Sequence, residues 1–267
     1  MDKSKSSNSE FVIRNSLTAL AEKYERKEFL VGDPSWFMHQ IKGDTNKELL
    51  AFIASALSYG SRKQFLPKIQ LILDHVNATT SGNMSSWLMN RQYDAVIPPR
   101  STVAFYRLYS YQTFNKFLTA LRQMVAQYGS IKGYLQAVMQ SKETLEAINL
   151  ITKWFADHDS IGVIPKNTSS SCKRVCMFMR WMVRSGSPVD LGIWSDIIDR
   201  RTLIMPMDTH VVQESIRMNL ITSPATTMSN ALRLTKRLAE IFPDDPTKGD
   251  FALFGIGVDN QETNDLH

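Results

Sequence analysis

Lys173 and Asp208 are the two side chains whose types and setting can do chemistry. Lys173 stands just inside an expected helix start, after the turn-forming run of residues 166–171. An amine there loses its proton more readily, because the positive end of the helix and the neighbouring Arg174 both oppose a second charge. A deprotonated lysine is a nucleophile that forms a Schiff base with a sugar or other carbonyl carbon. Asp208 opens the next helix in the run Pro206-Met207-Asp208-Thr209-His210. Its carboxylate can deprotonate the lysine or stabilise positive charge developing on a sugar ring. The plainer readings are a solvated lysine in a first helical turn and an aspartate that only caps a helix. His210 has a supporting role at most.

Helices must position this pair. Residues 11–27 have the apolar spacing of an amphipathic helix, preceded by a polar tail over residues 1–9 that reads as disordered. Residues 48–59 (ELLAFIASALSY) are apolar on most sides and predict a buried helix. Gly60-Ser61 breaks it, and 62–76 resumes as another. The aromatic-rich stretch 101–127 predicts two helices, followed by helices over 131–139 and 143–156. The central helix spans 171–184, and Ser187-Pro188 stops it. Asp190 is placed to cap a short helix reaching Trp194. Helices over 209–219 and 228–242 come next, and Asp245-Pro246 marks the start of the last. No strand with a sustained period of two is present, so the fold class is all-α.

The 267 residues suffice for a proper core. No apolar run approaches the roughly 20 residues a bilayer requires, and the polar N-terminus is unlike a signal peptide. Cys172 and Cys176 are too few for a disulfide framework or a four-thiolate cluster. The expectation is a cytoplasmic protein with no membrane partner. The net charge of +5 is unevenly spread. No acid lies between Asp94 and Glu143, between Asp159 and Asp190, or between Glu48 and Asp74. Those windows carry Arg100, Arg107, Arg122, Lys166, Arg62 and Lys63, among others. Such segregation suits a polyanion-binding face, and equally a set of solvated helix faces.

The run from Pro206 to Val211, following a helix that begins with Lys173, resembles the helix-hairpin-helix DNA glycosylase superfamily. The spacing between Lys173 and Asp208 is similar to that of archaeal 8-oxoguanine DNA glycosylases. Residues 48–58 resemble the superfamily's early buried helix, and Phe251-Ala252-Leu253-Phe254-Gly255 its closing helix. The resemblance implies two helical subdomains with a cleft between them. Residues 10–45 and about 209–258 would form one, and about 46–208, with the hairpin, the other. It implies Lys173 and Asp208 as catalytic residues of a base-excision DNA N-glycosylase with β-elimination activity, removing an oxidised base such as 8-oxoguanine from duplex DNA. It also implies DNA contacts from Ser169, Ser170, Ser171, Arg174, Tyr59, Arg62, Lys63 and His210. Tyr59 and Arg62 fall where the superfamily places residues that enter the base stack; Phe105, Tyr106 and Trp181 are further aromatic candidates. Serines 169–171 stand where the superfamily usually has Gly-x-Gly before the lysine. No metal or cofactor is expected, and the protein is expected to be a monomer. Two alternatives stay open: a DNA-binding protein without catalysis, and an all-α interaction module with no nucleic-acid role.

Overall fold

The computed structural model describes the backbone of residues 3–160 and 162–264 and the side chains of residues 11–160 and 162–256. The described fold is all-α apart from one two-stranded hairpin. In chain order its helices are α1 (Lys3–Tyr24), α2 (Asp44–Leu57), α3 (Arg62–Thr80) and α4 (Met84–Met89). The hairpin β1 (Ala104–Tyr106) and β2 (Tyr109–Ser110) follows, then α5 (Tyr111–Tyr128), α6 (Ile131–Val138) and α7 (Thr144–Asp157). The last four are α8 (Lys173–Val183), α9 (Thr209–Arg217), α10 (Met228–Ala239) and α11 (Lys248–Asn264). No helix among the described residues is long and apolar enough to cross a membrane.

Several sequence expectations change; the last helix, for one, begins at Lys248 and not at Asp245-Pro246, because the Asp245 carboxylate pairs with Arg184. The polar segment read as a disordered tail over residues 1–9 is helical from Lys3 onward, because extending an existing helix is far easier than nucleating one. The aromatic stretch 101–127 is a hairpin plus one helix. Its burial follows Phe105 and Tyr106 into the core and turns sharply at Arg107-Leu108. Asp190 caps no helix: its side chain is buried against Arg180 and Arg184, where charge pairing outcompetes capping.

α2 is the centre of the fold. Leu49 through Leu57 are all essentially inaccessible to solvent, as a helix apolar on every side must be. It packs against α8 on one flank and the 3-10 turn Pro34–His39 on another. Phe52 sits among Phe117, Phe155 and Phe178, with ring centroids 5.7, 5.4 and 4.9 Å away. α1 lies along α11, and Gly255 permits that approach: a Cβ there would come within 2.2 Å of the Tyr24 ring.

Glu48, in the first half of α2, is buried and anchors the start of α6. Its carboxylate accepts the Ile131 amide at 2.8 Å, the Lys132 amide at 2.9 Å and the Trp194 indole N–H at 2.9 Å. Burial nevertheless pushes the carboxyl up to about 7 from 4.5, against the pull of those donors and of the Lys132 charge. A carboxyl raised on folding binds protons more tightly in the folded chain, so its contribution is fully present below about 4.5 and is lost as pH rises through about 7. Glu48→Gln is therefore expected to flatten the fall in stability across that window. Urea midpoints of both proteins between pH 4 and 8 check it; parallel profiles would show that Glu48 is not the group responsible.

Candidate active site

Lys173 and Asp208 meet across the floor of an open cleft of about 530 Å³. The Lys173 Nζ lies 3.3 Å from Asp208 Oδ2, and the two side chains are 32% and 42% exposed. Both therefore face solvent from fixed positions, as a reactive pair must. Their fixation comes from the turns that precede them.

Ahead of α8, Cys172 is the N-cap residue and adopts the left-handed conformation, with φ at 48°. This lets the chain reverse into the helix with Lys173 at its first position. Glycine would take this conformation without strain, but here the positive φ falls on Cys172 and on none of the three serines before it. Ser171 stitches the turn to its neighbours. Its amide donates to Thr226 O at 3.0 Å, and its hydroxyl donates to Met207 O at 2.9 Å. Ser170 forms an isolated antiparallel bridge with Thr227. Because Met207 directly precedes Asp208, the Ser171 hydroxyl couples the lysine-bearing turn to the carboxylate-bearing one. Ser171→Ala leaves the buried Met207 carbonyl without this donor. It is expected to cost about 1–2 kcal/mol, measured by chemical denaturation; a change within a few tenths would show the tie is dispensable.

Asp208 emerges from the buried segment 203–207 and caps α9, its Oδ1 accepting the Val211 amide at 3.0 Å. Burial pushes its carboxyl up. The Lys173 charge and the Val211 hydrogen bond outweigh this and hold it below the usual carboxylate range. At neutral pH Asp208 is thus a carboxylate, with the Lys173 Nζ 3.3 Å away.

The walls of the cleft come from both halves of the chain: Asp33, Tyr59, Gly60 and Phe65 on one side, Met177 and Thr226 on the other. Asp33 caps the Pro34–His39 turn through the Ser35 amide at 2.9 Å, and Arg62 lies 3.4 Å from its other oxygen. The Asp-Pro-Ser cap is local in sequence, but its place opposite Lys173 is not. Met177, one helical turn beyond Lys173, carried no sequence signal except its spacing.

The remaining expected DNA contacts divide into two groups. Ser170 and Arg62 line the cleft, Arg62 half-exposed and stacking over Phe254 at 5.7 Å, while Ser169, Lys63 and His210 are exposed next to lining residues in the chain. Arg174 and Tyr59 also line the cleft, and both are held there by contacts to the interior. The Arg174 Nη1 donates to Ala56 O at 2.6 Å and to the Tyr109 hydroxyl, and the guanidinium lies 5.0 Å from the Tyr59 ring centroid. Tyr59 packs on Tyr106 and Tyr109 at 4.9 and 5.1 Å. Burial pushes the Tyr109 hydroxyl up to about 12, so it stays a neutral acceptor for Arg174. Phe105, Tyr106 and Trp181 are core residues. Cys172 and Cys176 are free, buried thiols, both pushed up by burial. Among the described residues, no three His, Cys, Asp or Glu side chains are grouped so as to hold a metal ion.

The fold and the cleft together define an all-α protein with a lysine–carboxylate pair presented from two helix starts. Residues 33–259 match the family described as "Protein of unknown function (DUF2400)", and the chain belongs to that family. The matched span begins at Asp33 in one cleft wall and includes both members of the pair. No curated protein matches the chain, and no solved structure does.

Proposed function

We propose that the protein is a base-excision DNA N-glycosylase with β-elimination activity, acting on an oxidised base such as 8-oxoguanine. The observation that carries this reading is the solvent-facing Lys173–Asp208 contact of 3.3 Å in a cleft large enough for a nucleotide. Its support from sequence is the resemblance of these two motifs to helix-hairpin-helix glycosylases. In this mechanism Asp208 takes a proton from Lys173, and the freed amine bonds to C1′ of the deoxyribose. The glycosidic bond breaks, and its electron pair leaves with the base, which is protonated on departure. Ring opening then gives an iminium between Nζ and C1′. Loss of a C2′ proton expels the 3′ phosphate and nicks the strand. The base must first leave the duplex stack, which costs a few kcal/mol and favours lesions that pair poorly. We further propose that it works in the cytoplasm as a monomer.

One observation favours the alternative with no nucleic-acid role. The Ser171 amide is committed to Thr226 O, so it is not free to receive a phosphate as a glycine hairpin amide would be. One experiment separates the two. Duplexes carrying 8-oxoguanine, uracil or an abasic site are incubated with the protein and borohydride. A covalent complex that disappears in Lys173→Gln supports the glycosylase/lyase. Salt-sensitive duplex binding without any trapped complex would favour a monofunctional enzyme or a binding protein. Loss of both would end the DNA reading.

A further inference from the structure

We propose that Leu108, at the tip of the β1–β2 hairpin, is the wedge that fills the base stack when a nucleotide moves into the cleft; this rests on the DNA reading above. At 88% exposure Leu108 is the most exposed large apolar side chain among the described residues. A single exposed leucine is ordinary on a protein surface, so its mounting is what distinguishes it.

The turn that carries it is only Arg107 and Leu108, between residues paired as Tyr106 and Tyr109. Arg107 holds φ at 50°, a left-handed conformation that residues other than glycine, asparagine and aspartate adopt only when their surroundings impose it. The surroundings here are the cleft wall. The Leu108 amide donates to the Tyr59 hydroxyl at 3.4 Å, which itself donates to Tyr106 O at 3.3 Å. The Tyr106 hydroxyl donates back to Tyr59 O. The absent side chain of Gly60 makes room for the arginine: a Cβ there would stand 2.6 Å from Arg107 Nη1. The hairpin is thus built directly onto Tyr59 and Gly60, both of which line the cleft.

This arrangement transfers a role. Sequence reading put Tyr59 into the base stack, but its ring is clamped by Arg174, Tyr106 and Tyr109. Leu108 is the apolar group that Tyr59 instead holds outward. An apolar side chain pushed between base steps replaces the lost stacking, and the exposed Arg107 beside it supplies charge for the flanking phosphate. The occupant fitted by an apolar tip on a cationic turn at a cleft rim is duplex DNA.

Two duplexes test this. One carries 2-aminopurine beside a tetrahydrofuran abasic analogue and reports unstacking by fluorescence; the other carries 8-oxoguanine paired with cytosine. Wild type is expected to raise the fluorescence on binding. Leu108→Ala is expected to bind within about threefold, since phosphate contacts dominate affinity, but to lose the fluorescence rise. Its rate of borohydride trapping on 8-oxoguanine should fall about tenfold or more, because the unstacked state is no longer supported. On a natural abasic site in a single strand, where no base leaves a stack, trapping should stay within about twofold. Leu108→Phe should restore both losses. A Leu108→Ala protein that keeps the fluorescence rise and the trapping rate would overturn the wedge and leave the glycosylase reading standing. Wild type that neither binds nor traps would remove both. If wild type binds without trapping, the fluorescence arm alone decides.

Discussion

Lys173→Gln is expected to give no borohydride-trapped complex on any lesion, a loss of at least about 1000-fold, as removal of a covalent nucleophile generally produces. The variant should fold normally, because Lys173 is partly exposed at the first position of α8 and, among the described residues, forms an ion pair with Asp208 alone. Glutamine keeps most of the length and the polarity and removes the nucleophilic, charged amine. Asp208→Asn is the sharper companion. Asparagine caps a helix about as well as aspartate, so the Val211 contact that starts α9 should survive. Excision should nevertheless fall by about 10²–10³-fold, the usual cost of removing one preorganised electrostatic group. The wild-type rate should also decline in acid as Asp208 becomes protonated, below the usual carboxylate range because Lys173 stabilises its charge. A Lys173→Gln protein that still traps would assign the nucleophile elsewhere. An Asp208→Asn protein with full activity would reduce Asp208 to a cap.

The largest stability effect is expected at Arg184, far from the cleft's chemistry but at the C-cap of the helix that begins with Lys173. Its Nε donates to Asp245 at 2.7 Å, its Nη2 to Glu25 at 2.7 Å and its Nη1 to Asp190. Arg180, one turn earlier, pairs with Asp250 and lies 3.4 Å from Asp190. Both guanidinium groups sit over the Phe251 ring. These pairs fasten α8 to the turn after α1, to the loop holding Asp190 and to the entry of α11. Removing one partner from a buried network leaves other charges uncompensated, which costs about 3–5 kcal/mol. Arg184→Ala is therefore expected to lower the unfolding free energy by that amount, measured by urea denaturation. A loss below about 1 kcal/mol would mean that the network relaxes onto water. In a surviving folded fraction, slower trapping would indicate that this anchorage also holds the lysine in place.

The helices were legible because their cause is local. The apolar run of α2 and the amphipathic spacing of α10 act within a few residues of chain. The Lys173 and Asp208 helix starts were legible for the same reason. The hairpin was not: its strands are three and two residues long, too short for a period of two to emerge. Asp190 misled in the opposite way. Its sequence setting suits a cap, while the partners that claim it, Arg180 and Arg184, lie on another helix. Arg174 and Tyr59 line the cleft, but the hold of the Ala56 carbonyl and the Tyr109 hydroxyl on the guanidinium had no local sequence signal.

By itself, then, the sequence determined an all-α chain with a lysine and an aspartate each at the mouth of a helix. Only the tertiary structure decided that the two face each other, because their contact depends on Ser171 reaching Met207 and Thr226 from distant parts of the chain. It alone decided which cations are spent inside the fold and which stay at the cleft. Hydrogen-bond acceptors that compete for a side chain come from segments with no fixed relation in sequence, and folding settles that competition once the segments meet.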